Sequence, residues 1–403
     1  MEKIWINIPD VLFFQEGPGV RNTQYTTEGV KLLNVANLVD GKVDLSKSDR
    51  YISEDEAYGK YKHFLCDAGD FVIASSGIKV EYIDKKMGFV DESMLPLCMN
   101  TSTIRFKVLD DNKLRIRYFM YYLKSQHFKD QLFKQITGSA QLNYGPSHLK
   151  KMIMPLISLS KQDEIIACMD KVQSVIEMRR QELVKLDDLI KARFVEMFGN
   201  PVNNEKGFVK APMGDYMTLL TDFSSNGSYK TLDSGVTMYD EPNYAWMVRT
   251  TDLESGDMTS IKYIDENAYE LLAKSKIYGG EIIMNKIGSA GKIYLMPQID
   301  MPASLGRNAF MFRYDDRINV KFLYHLLTSE YGQREIQQYV RGAVTKTITK
   351  NDARAVLIMV PPIELQNEFE AFVKQVDKSK VEVQKALDET QKLFDSLMQQ
   401  YFG

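Results

Sequence analysis

Residues 162–199 of this chain read QDEIIACMDKVQSVIEMRRQELVKLDDLIKARFVEMFG, and residues 366–403 read QNEFEAFVKQVDKSKVEVQKALDETQKLFDSLMQQYFG. The two stretches align without a gap at an offset of 204 residues, which is the distance from Gln162 to Gln366. Both begin with Gln-Asp-Glu or Gln-Asn-Glu, and both end with Phe-Gly. The alignment indicates an internal repeat.

Apolar residues recur in both stretches at alternating steps of four and three, which is the heptad spacing of a supercoiled helix seam. Eight of the ten seam positions are apolar in each copy. A helix from Gln162 to Phe198 would be about 55 Å long at ~1.5 Å per residue, so it needs a partner. The other copy is the most economical partner, and the alternative is that each helix packs on its own domain. The seam positions are Ile165, Met169, Val172, Ile176, Arg179, Leu183, Leu186, Ile190, Arg193 and Met197 in the first copy, and Phe369, Val373, Val376, Lys380, Val383, Leu387, Thr390, Phe394, Leu397 and Tyr401 in the second.

The direction of the two helices follows from their order in the chain. The first helix leaves one globular segment and arrives at the next, and the second helix starts from that next segment. Pairing along their length therefore requires an antiparallel arrangement. If pairing is symmetric about the centre, Arg179 lies against Leu387 and Leu186 against Lys380.

The repeat continues upstream of the helices. Short apolar runs between Gly and Asp turns predict strands, and 118–134 and 322–339 have helical periodicity. The sequence therefore predicts a mixed α/β (α+β) fold with an internal pseudo-twofold repeat: two similar globules at 1–158 and 200–360, joined by long antiparallel coiled-coil helices at 159–199 and 361–403. The matching segments are 37–41 with 252–256, 51–54 with 263–266, 69–73 with 280–284, and 117–125 with 321–329.

Composition bounds the class of protein. A chain of 403 residues with 44% hydrophobic residues is long enough for two or three folded domains. No apolar run of 18 residues and no apolar leader after Met1 are present, so we expect a cytoplasmic protein without a membrane segment. The net charge of -3 argues against a protein that coats nucleic acid indiscriminately.

The motifs of catalysis and cofactor binding are missing from the sequence. Cys66, Cys98 and Cys168 are widely spaced, and the four histidines show no ligand spacing, so no metal site is expected. The sequence contains neither a Gly-x-x-x-x-Gly-Lys-Ser/Thr loop nor a His-Glu-x-x-His motif. The Asn/Asp-Pro-Pro-Tyr/Phe motif of amino-methyltransferases is also absent. We therefore expect neither a catalytic centre nor a cofactor.

A duplicated globule with a long helix after each copy resembles the specificity (S) subunit of type I restriction-modification systems, over essentially the full chain. The residues that carry the resemblance are VPPIELQ at 360–366, the weaker MPLISLSKQ at 154–162, GEII at 280–283 and the Gly-Ser-Ala loop at Gly138. The first copy departs from the family pattern, with Ile157-Ser158 where the second has Pro361-Pro362.

This resemblance implies a non-catalytic chain that binds double-stranded DNA. Each globule would be a target recognition domain for one half of a split sequence. The helices would set the spacing and dock modification (methyltransferase) subunits, probably two, and restriction/translocase subunits would complete the complex. Two related globules also suit an elongated target that is read at two separate places.

Polar and basic loops at corresponding places in the two globules are the candidate DNA contacts. Arg, Gln and Asn side chains pair with base edges, whereas Lys, Ser and Thr more often hold phosphate. The first set comprises Ser139, Gln141, Asn143, Tyr144 and Lys151 in globule one and Arg341, Thr345, Lys346, Thr347 and Lys350 in globule two. The second set comprises Arg21, Asn22 and Thr23, with Ser225, Asn226 and Lys230, and the third set is Lys79, Lys286 and Lys292.

Two other readings stay open at the level of sequence. One is the specificity chain of another two-headed restriction system. The other is a coiled-coil scaffold that binds only proteins.

Overall fold

Two helices of 40 residues each, Leu159–Phe198 and Ile363–Phe402, confirm the long repeated helices. They belong to a computed structural model that describes residues 3–46, 48–135 and 143–403. The first helix stops at Gly199, whose φ of +74° is a left-handed conformation that glycine adopts without strain.

The chain divides into two compact units. Unit 1 comprises residues up to Arg180 together with Lys385–Gly403, and unit 2 comprises Gln181–Gln384. Each unit therefore contains one half of each long helix.

Unit 1 has a mixed α/β fold. Its strands are β1 (Ile4–Asn7), β2 (Leu12–Glu16), β3 (Val30–Leu33), β4 (Leu38–Val39), β5 (Lys42–Val43), β6 (Tyr51–Ile52), β7 (Phe71–Ala74), β8 (Met87–Phe89), β9 (Leu97–Met99), β10 (Thr103–Val108) and β11 (Ile153–Leu156). Its helices are α1 (Glu54–Tyr58), α2 (Ile116–Lys124), α3 (Gln126–Gln135) and α4 (Pro146–Leu149), followed by the first long helix, α5 (Leu159–Phe198).

Unit 2 repeats the order of the main strands and of the helices that follow them, but it has additional short helices and one additional short strand, and it has no counterpart of the β4-β5 hairpin. Its strands are β12 (Val209–Pro212), β13 (Met217–Asp222), β14 (Ala245–Val248), β15 (Lys262–Ile264), β16 (Lys276–Ile277), β17 (Ile282–Asn285), β18 (Ile293–Leu295), β19 (Ala303–Leu305), β20 (Ala309–Tyr314) and β21 (Leu357–Val360). Its helices are α6 (Tyr229–Gly235), α7 (Thr250–Ser255), α8 (Glu266–Leu271), α9 (Val320–Thr328), α10 (Glu330–Gln337) and α11 (Lys350–Ala355), and the second long helix is α12 (Ile363–Phe402).

The main sheet and the ribbon before the long helix have the same topology in both units, whereas the second sheet has three strands in unit 1 and four in unit 2. The main antiparallel sheet has the order β2-β10-β7-β8 in unit 1 and β13-β20-β17-β18 in unit 2. A second sheet contains one parallel pair in each unit, β3 with β9 and β14 with β19. A two-stranded ribbon, β1-β11 or β12-β21, precedes each long helix. The duplication predicted from sequence is therefore present in the strand order itself.

The halves of the long helices pair in antiparallel fashion within each unit. In unit 2, Lys380 Nζ lies 2.6 Å from Asp187 Oδ1, and Arg193 bonds Glu368 at 3.0 Å. In unit 1, Arg179 donates to the Thr390 hydroxyl and to the carbonyl of Ala386. Rising numbers on α5 thus meet falling numbers on α12, which confirms the antiparallel direction that the chain order predicts.

The glutamine that begins each repeated stretch is buried and holds the start of its long helix in place. Gln162 Oε1 accepts from the backbone N–H of Arg115 at 2.8 Å, and its Nε2 donates to the carbonyls of Lys113 and Ile157, both at 2.9 Å. Gln366 makes the equivalent bonds to Asn319, Arg317 and Pro361. Each glutamine ties its long helix to the loop before α2 or α9.

Candidate nucleic-acid interface

One end of the main sheet carries the polar loops in each unit. In unit 1, Glu16 ends β2, Ala74 ends β7 and Thr103 begins β10, and the strand register places these three residues side by side. In unit 2, Asp222, Asn285 and Ala309 hold the same places. We call this the loop end of the sheet. The other end of β10 or β20 leads towards α2 or α9, which packs on a long helix.

A hairpin projects from the loop end of unit 2. The backbones of Arg341 and Thr347 bond each other reciprocally at 2.9 and 2.8 Å, and Gly342 takes a φ of +106° to make the turn. All residues from Arg341 to Thr347 are exposed, and Val344 is 98% exposed. Thr345 and Lys346, two of the predicted DNA contacts, therefore lie on the hairpin with their side chains exposed.

The hairpin is attached to the turn after β17. The Gly288 N–H donates to the Lys346 carbonyl at 2.9 Å, and the Ile348 N–H donates to the Lys286 carbonyl at 3.1 Å. Ile348 is buried and anchors the base. Arg341 pairs with Asp352 at 3.0 Å while its side chain stays largely exposed, so the guanidinium is oriented but accessible.

Unit 1 has the same attachment with different side chains. Asn143, which is exposed, bridges Ser76, and the Tyr144 N–H donates to the Ser75 carbonyl at 3.0 Å. Tyr144 occupies the place of Ile348: it is 2% exposed and its hydroxyl donates to the Ala74 carbonyl at 2.9 Å. Burial raises the pKa of Tyr144 well above its ordinary value. Its side chain is therefore an internal anchor of the loop and is not available for a contact with DNA.

Ser139 and Gln141, the two remaining predictions for this loop, lie outside the described residues.

A nearly buried carboxylate joins three segments of unit 2. Asp222, 6% exposed, lies 3.0 Å from Lys286 Nζ and 2.8 Å from Lys350 Nζ. The Ser225 hydroxyl donates to it at 2.7 Å, and the Ser224 hydroxyl at 2.9 Å. Burial alone would raise the pKa of Asp222, but the hydrogen bonds from the lysines and serines outweigh it and hold the pKa well below its ordinary value. Lys286, Lys350 and Ser225, which the sequence placed in separate sets, thus form one cluster.

Sequence reasoning missed Arg307. This residue lies in the turn between β19 and β20, with its guanidinium carbon 5.0 Å from the Phe223 ring centre, 5.6 Å from the Tyr229 ring centre, and one nitrogen 3.1 Å from Asp233. Tyr229 is 75% exposed. The next residue, Asn308, has a φ of +67°, and Ser102 has +68° at the same place in unit 1. The same turn thus recurs at both loop ends, and this recurrence could have pointed to Arg307.

The other predicted residues fall into two groups. Four basic residues are exposed and have no ion-pair partner in the described part of the chain: Arg21, Lys79, Lys151 and Lys230. Asn22 and Thr23 are exposed beside Arg21. Side chains with internal partners belong to Asn226 and Lys292. Asn226 bonds the Phe223 carbonyl, the Ser275 hydroxyl and the Lys274 N–H, and Lys292 pairs with Glu254.

The fold and the two loop ends define a duplicated protein, in which one scaffold carries two different sets of loop side chains. Ser75, Thr101 and Asn143 in unit 1 correspond to Lys286, Arg307 and Thr347 in unit 2.

The comparisons with known proteins agree. A model of the type I restriction modification DNA specificity domain matches residues 26–187 and 214–391. The chain belongs to this family, and a DNA-specificity subunit is the function that the matches support.

Among individual proteins, the chain is 21% identical over 386 residues to the putative type I restriction enzyme MjaX specificity subunit of Methanocaldococcus jannaschii, which covers 89% of this chain and 84% of that protein. It is 24% identical to the MjaVIII specificity subunit of the same organism, but that match spans only 45% of this chain and 42% of the relative. The EcoBI specificity subunit of Escherichia coli is 21% identical, over 76% of this chain and 69% of that subunit.

Solved structures show the same fold. An S subunit from M. genitalium superposes with a TM-score of 0.52 at 16% identity, over 98% of this chain and 95% of that one. A chain from a study of complex assembly in the type I R-M system superposes at 0.58, also at 16% identity, over 99% and 97%.

Within the described ranges, no helix is both long and apolar enough to cross a bilayer. The same residues contain no group of three or more His, Cys, Asp or Glu side chains arranged to hold a metal ion.

Proposed function

We propose that this chain reads a split double-stranded DNA sequence, one half with the loop end of each unit, and directs modification and restriction subunits to it without catalysing a reaction itself. The recognition domains would correspond to 1–158 and 200–360, and the spacer helices to 159–199 and 361–403.

One observation carries the proposal: the two loop ends share a backbone but differ in their contact side chains. The Ser75 N–H donates to the Ser102 carbonyl at 2.8 Å, and the Lys286 N–H donates to the Asn308 carbonyl at 2.7 Å, so the turns match. Beside those turns, Thr101 is replaced by Arg307. A scaffold that reads two different base sequences needs this combination, because position comes from the backbone and specificity from side chains.

Within this proposal, contacts divide by chemistry. Arg341, Asn143 and Arg307 can reach base edges, since each presents a polar side chain at an exposed turn. Arg21, Lys79, Lys151, Lys230 and Lys346 would hold phosphates, together with Asn22, Thr23 and Thr345. Lys286 and Lys350 both pair with Asp222, so together they would contribute less to phosphate binding than two unpaired lysines.

The partners follow from the repeat. Each unit presents the same arrangement of buried glutamine, loop and long helix, so a protein that docks on one arrangement can dock on the other. We infer that two modification subunits bind, one for each repeat, and that restriction/translocase subunits join that assembly.

A segment exchange tests the proposal. Residues 206–360 are replaced with the matching segment of a relative that has a different target, and the variant is expressed with its modification subunits. Methylome sequencing should show a change in one half of the methylated sequence and no change in the other, because unit 2 supplies its own loops. A matched exchange within unit 1 should change the opposite half. Change in both halves, or unaltered methylation, contradicts the proposal, and a protein-only scaffold would give no sequence-dependent methylation.

A further inference from the structure

Unit 1 has a concave surface beside its loop end, at the turn that follows β7. The concavity has a volume of about 380 Å³ and lies between the turn after β7 and the β4-β5 hairpin. Its lining includes Gly77, next to the residue that bridges Asn143, so it borders the loop end directly. We call it the lysine pocket, and its remaining lining residues are Val39, Asp40, Ile78, Lys79, Tyr82, Lys85 and Lys86.

The turn that forms the pocket is firmly held. Ile83 is fully buried, and the Lys86 carbonyl accepts from the Ala74 N–H at 2.9 Å. The Lys85 carbonyl accepts from the Gly41 N–H at 3.1 Å, which ties the turn to the β4-β5 hairpin. Since the backbone is already ordered, a ligand in the pocket meets a prearranged surface.

The charges of the turn leave its lysines available. Asp84 is paired with Lys129 at 3.3 Å, so it does not neutralise the neighbouring lysines. In the described part of the chain, no carboxylate lies within ion-pair distance of Lys79, Lys85 or Lys86. Two carboxylates do lie nearby, Asp40 in the pocket lining and Glu81 on the turn, so three cations face two anions.

The pocket also has an aromatic wall. Tyr82 is 47% exposed, and the Lys85 ammonium lies 5.5 Å from the centre of its ring. Val39 and Ile78 add apolar surface. Unpaired lysines beside an exposed aromatic face are the combination with which proteins hold a nucleic-acid backbone and its sugars or bases without reading sequence.

Unit 2 differs at the equivalent place. The segment between β17 and β18 runs only from 286 to 292, whereas the segment between β7 and β8 runs from 75 to 86. Its two lysines are paired, Lys286 with Asp222 and Lys292 with Glu254. A concavity of about 430 Å³ also borders this turn of unit 2, but its lining has two lysines, Lys292 and Lys346, and no aromatic residue, and Lys292 is paired. The combination of three unpaired lysines and an exposed aromatic ring therefore belongs to unit 1.

We infer that the lysine pocket is a second DNA contact of unit 1, which holds the phosphate backbone beside the half-sequence read by the loop end and contributes no sequence preference. The inference rests on the proposed function, since it requires DNA at the loop end. Because the pocket adds phosphate contacts in unit 1, binding of the half-sequence read by unit 1 should depend more strongly on salt than binding of the other half.

The test uses the full chain in complex with its modification subunits and a duplex that carries the methylated sequence. The variant is K79A/K85A/K86A, and the matched control, K378A/K385A/K392A, removes three exposed lysines of α12. The dissociation constant is measured from low to high salt. Loss of up to three phosphate contacts should reduce the slope of log K against log salt by about two to three. The control should keep the wild-type slope, and the methylated sequence should be the same in all three proteins.

Tyr82→Ala supplies a second readout. Loss of an aromatic contact should weaken binding about fivefold or more without altering the salt slope, because no charge is removed. A lysine variant with the wild-type slope would overturn the pocket while leaving the proposed function intact. A wild-type complex that does not prefer its methylated sequence over random duplex would instead overturn the proposed function. As a control for folding, the midpoint temperature of thermal unfolding of each variant should equal that of the wild type.

Discussion

Replacement of the two lysines on Asp222 should be strongly non-additive. In Lys286→Ala or Lys350→Ala, the carboxylate keeps the other ammonium and the serine hydroxyls, and each change should cost about 0.5–1 kcal/mol, as for a partly exposed ion pair. In the double variant the carboxylate, 6% exposed, is left without a cation. Removing the partner of a buried charge costs about 3–5 kcal/mol, and we expect about 3 because the shortened side chains admit water.

Urea unfolding measures these differences. The chain has two tryptophans, and Trp246 is buried in unit 2. In a Trp5→Phe background, fluorescence therefore reports the unfolding of unit 2. Adding Asp222→Asn to the double variant is the control: it removes the unpaired charge and should restore most of the lost free energy of unfolding. This account of the cluster would be refuted if the double variant lost only the sum of the free energies of unfolding that the two single variants lose, and if Asp222→Asn restored none of that loss.

The pH dependence follows from the lowered pKa of Asp222. Hydrogen bonds from the lysines and serines outweigh burial, so the folded-state pKa lies below the unfolded value of about 3.9. The resulting stabilisation is fully present above that unfolded value and is lost as the pH falls through the folded pKa. The difference in free energy of unfolding between wild type and double variant should therefore be constant near neutrality. It should narrow as the pH falls, because the carboxyl group of the variant, whose pKa the lysines no longer lower, takes up a proton before that of the wild type.

Three further predictions concern the helices and the loops. Gln366→Leu should lower the free energy of unfolding of unit 2 by about 1–3 kcal/mol in urea titrations, because buried backbone groups lose their hydrogen-bond partners. Cysteines at Leu183 and Val383 should form a disulfide on oxidation, as seen by a reducible mobility shift; absence of the bond would contradict the antiparallel register. Arg341→Ala should relax sequence preference at one base pair, by about 1–3 kcal/mol in competition binding, whereas Lys151→Ala should weaken binding to all duplexes and flatten the salt dependence. Equal effects of these two changes on specific and random DNA would remove the distinction between base and phosphate contacts.

The neighbourhood of Arg307 extends the interface proposed for unit 2 beyond its hairpin. Its guanidinium lies over two aromatic rings, and the adjacent turn bonds the Lys286 N–H through Asn308. Lys286 in turn shares Asp222 with Lys350, at the start of the helix after the hairpin. Three turns distant in sequence therefore support one another, and a change in one will alter the position of the others.

The sequence alone determined the features that depend on local period and on repetition. The heptad pattern predicts the long helices, because a period of 3.5 residues places the apolar side chains on one face wherever the chain is helical. Their antiparallel pairing follows from the order of segments in the chain. The offset of 204 residues predicts two units of one fold, and it correctly aligned Asn143 and Tyr144 with Thr347 and Ile348.

Only the tertiary structure decided which polar residues in those loops face outwards. Tyr144 and Asn226 have the composition of contact residues, yet Tyr144 fills the buried place of Ile348, and Asn226 is bonded to Ser275 and Lys274. The grouping of Lys286 and Lys350 around Asp222 joins positions 64 and 128 residues apart in the chain, and no sequence period records such a distance. Local spacing fixes which face of an element a side chain occupies, but hydrogen-bond partners are brought by segments that meet only when the sheets close, so the role of each loop side chain is a property of the folded unit.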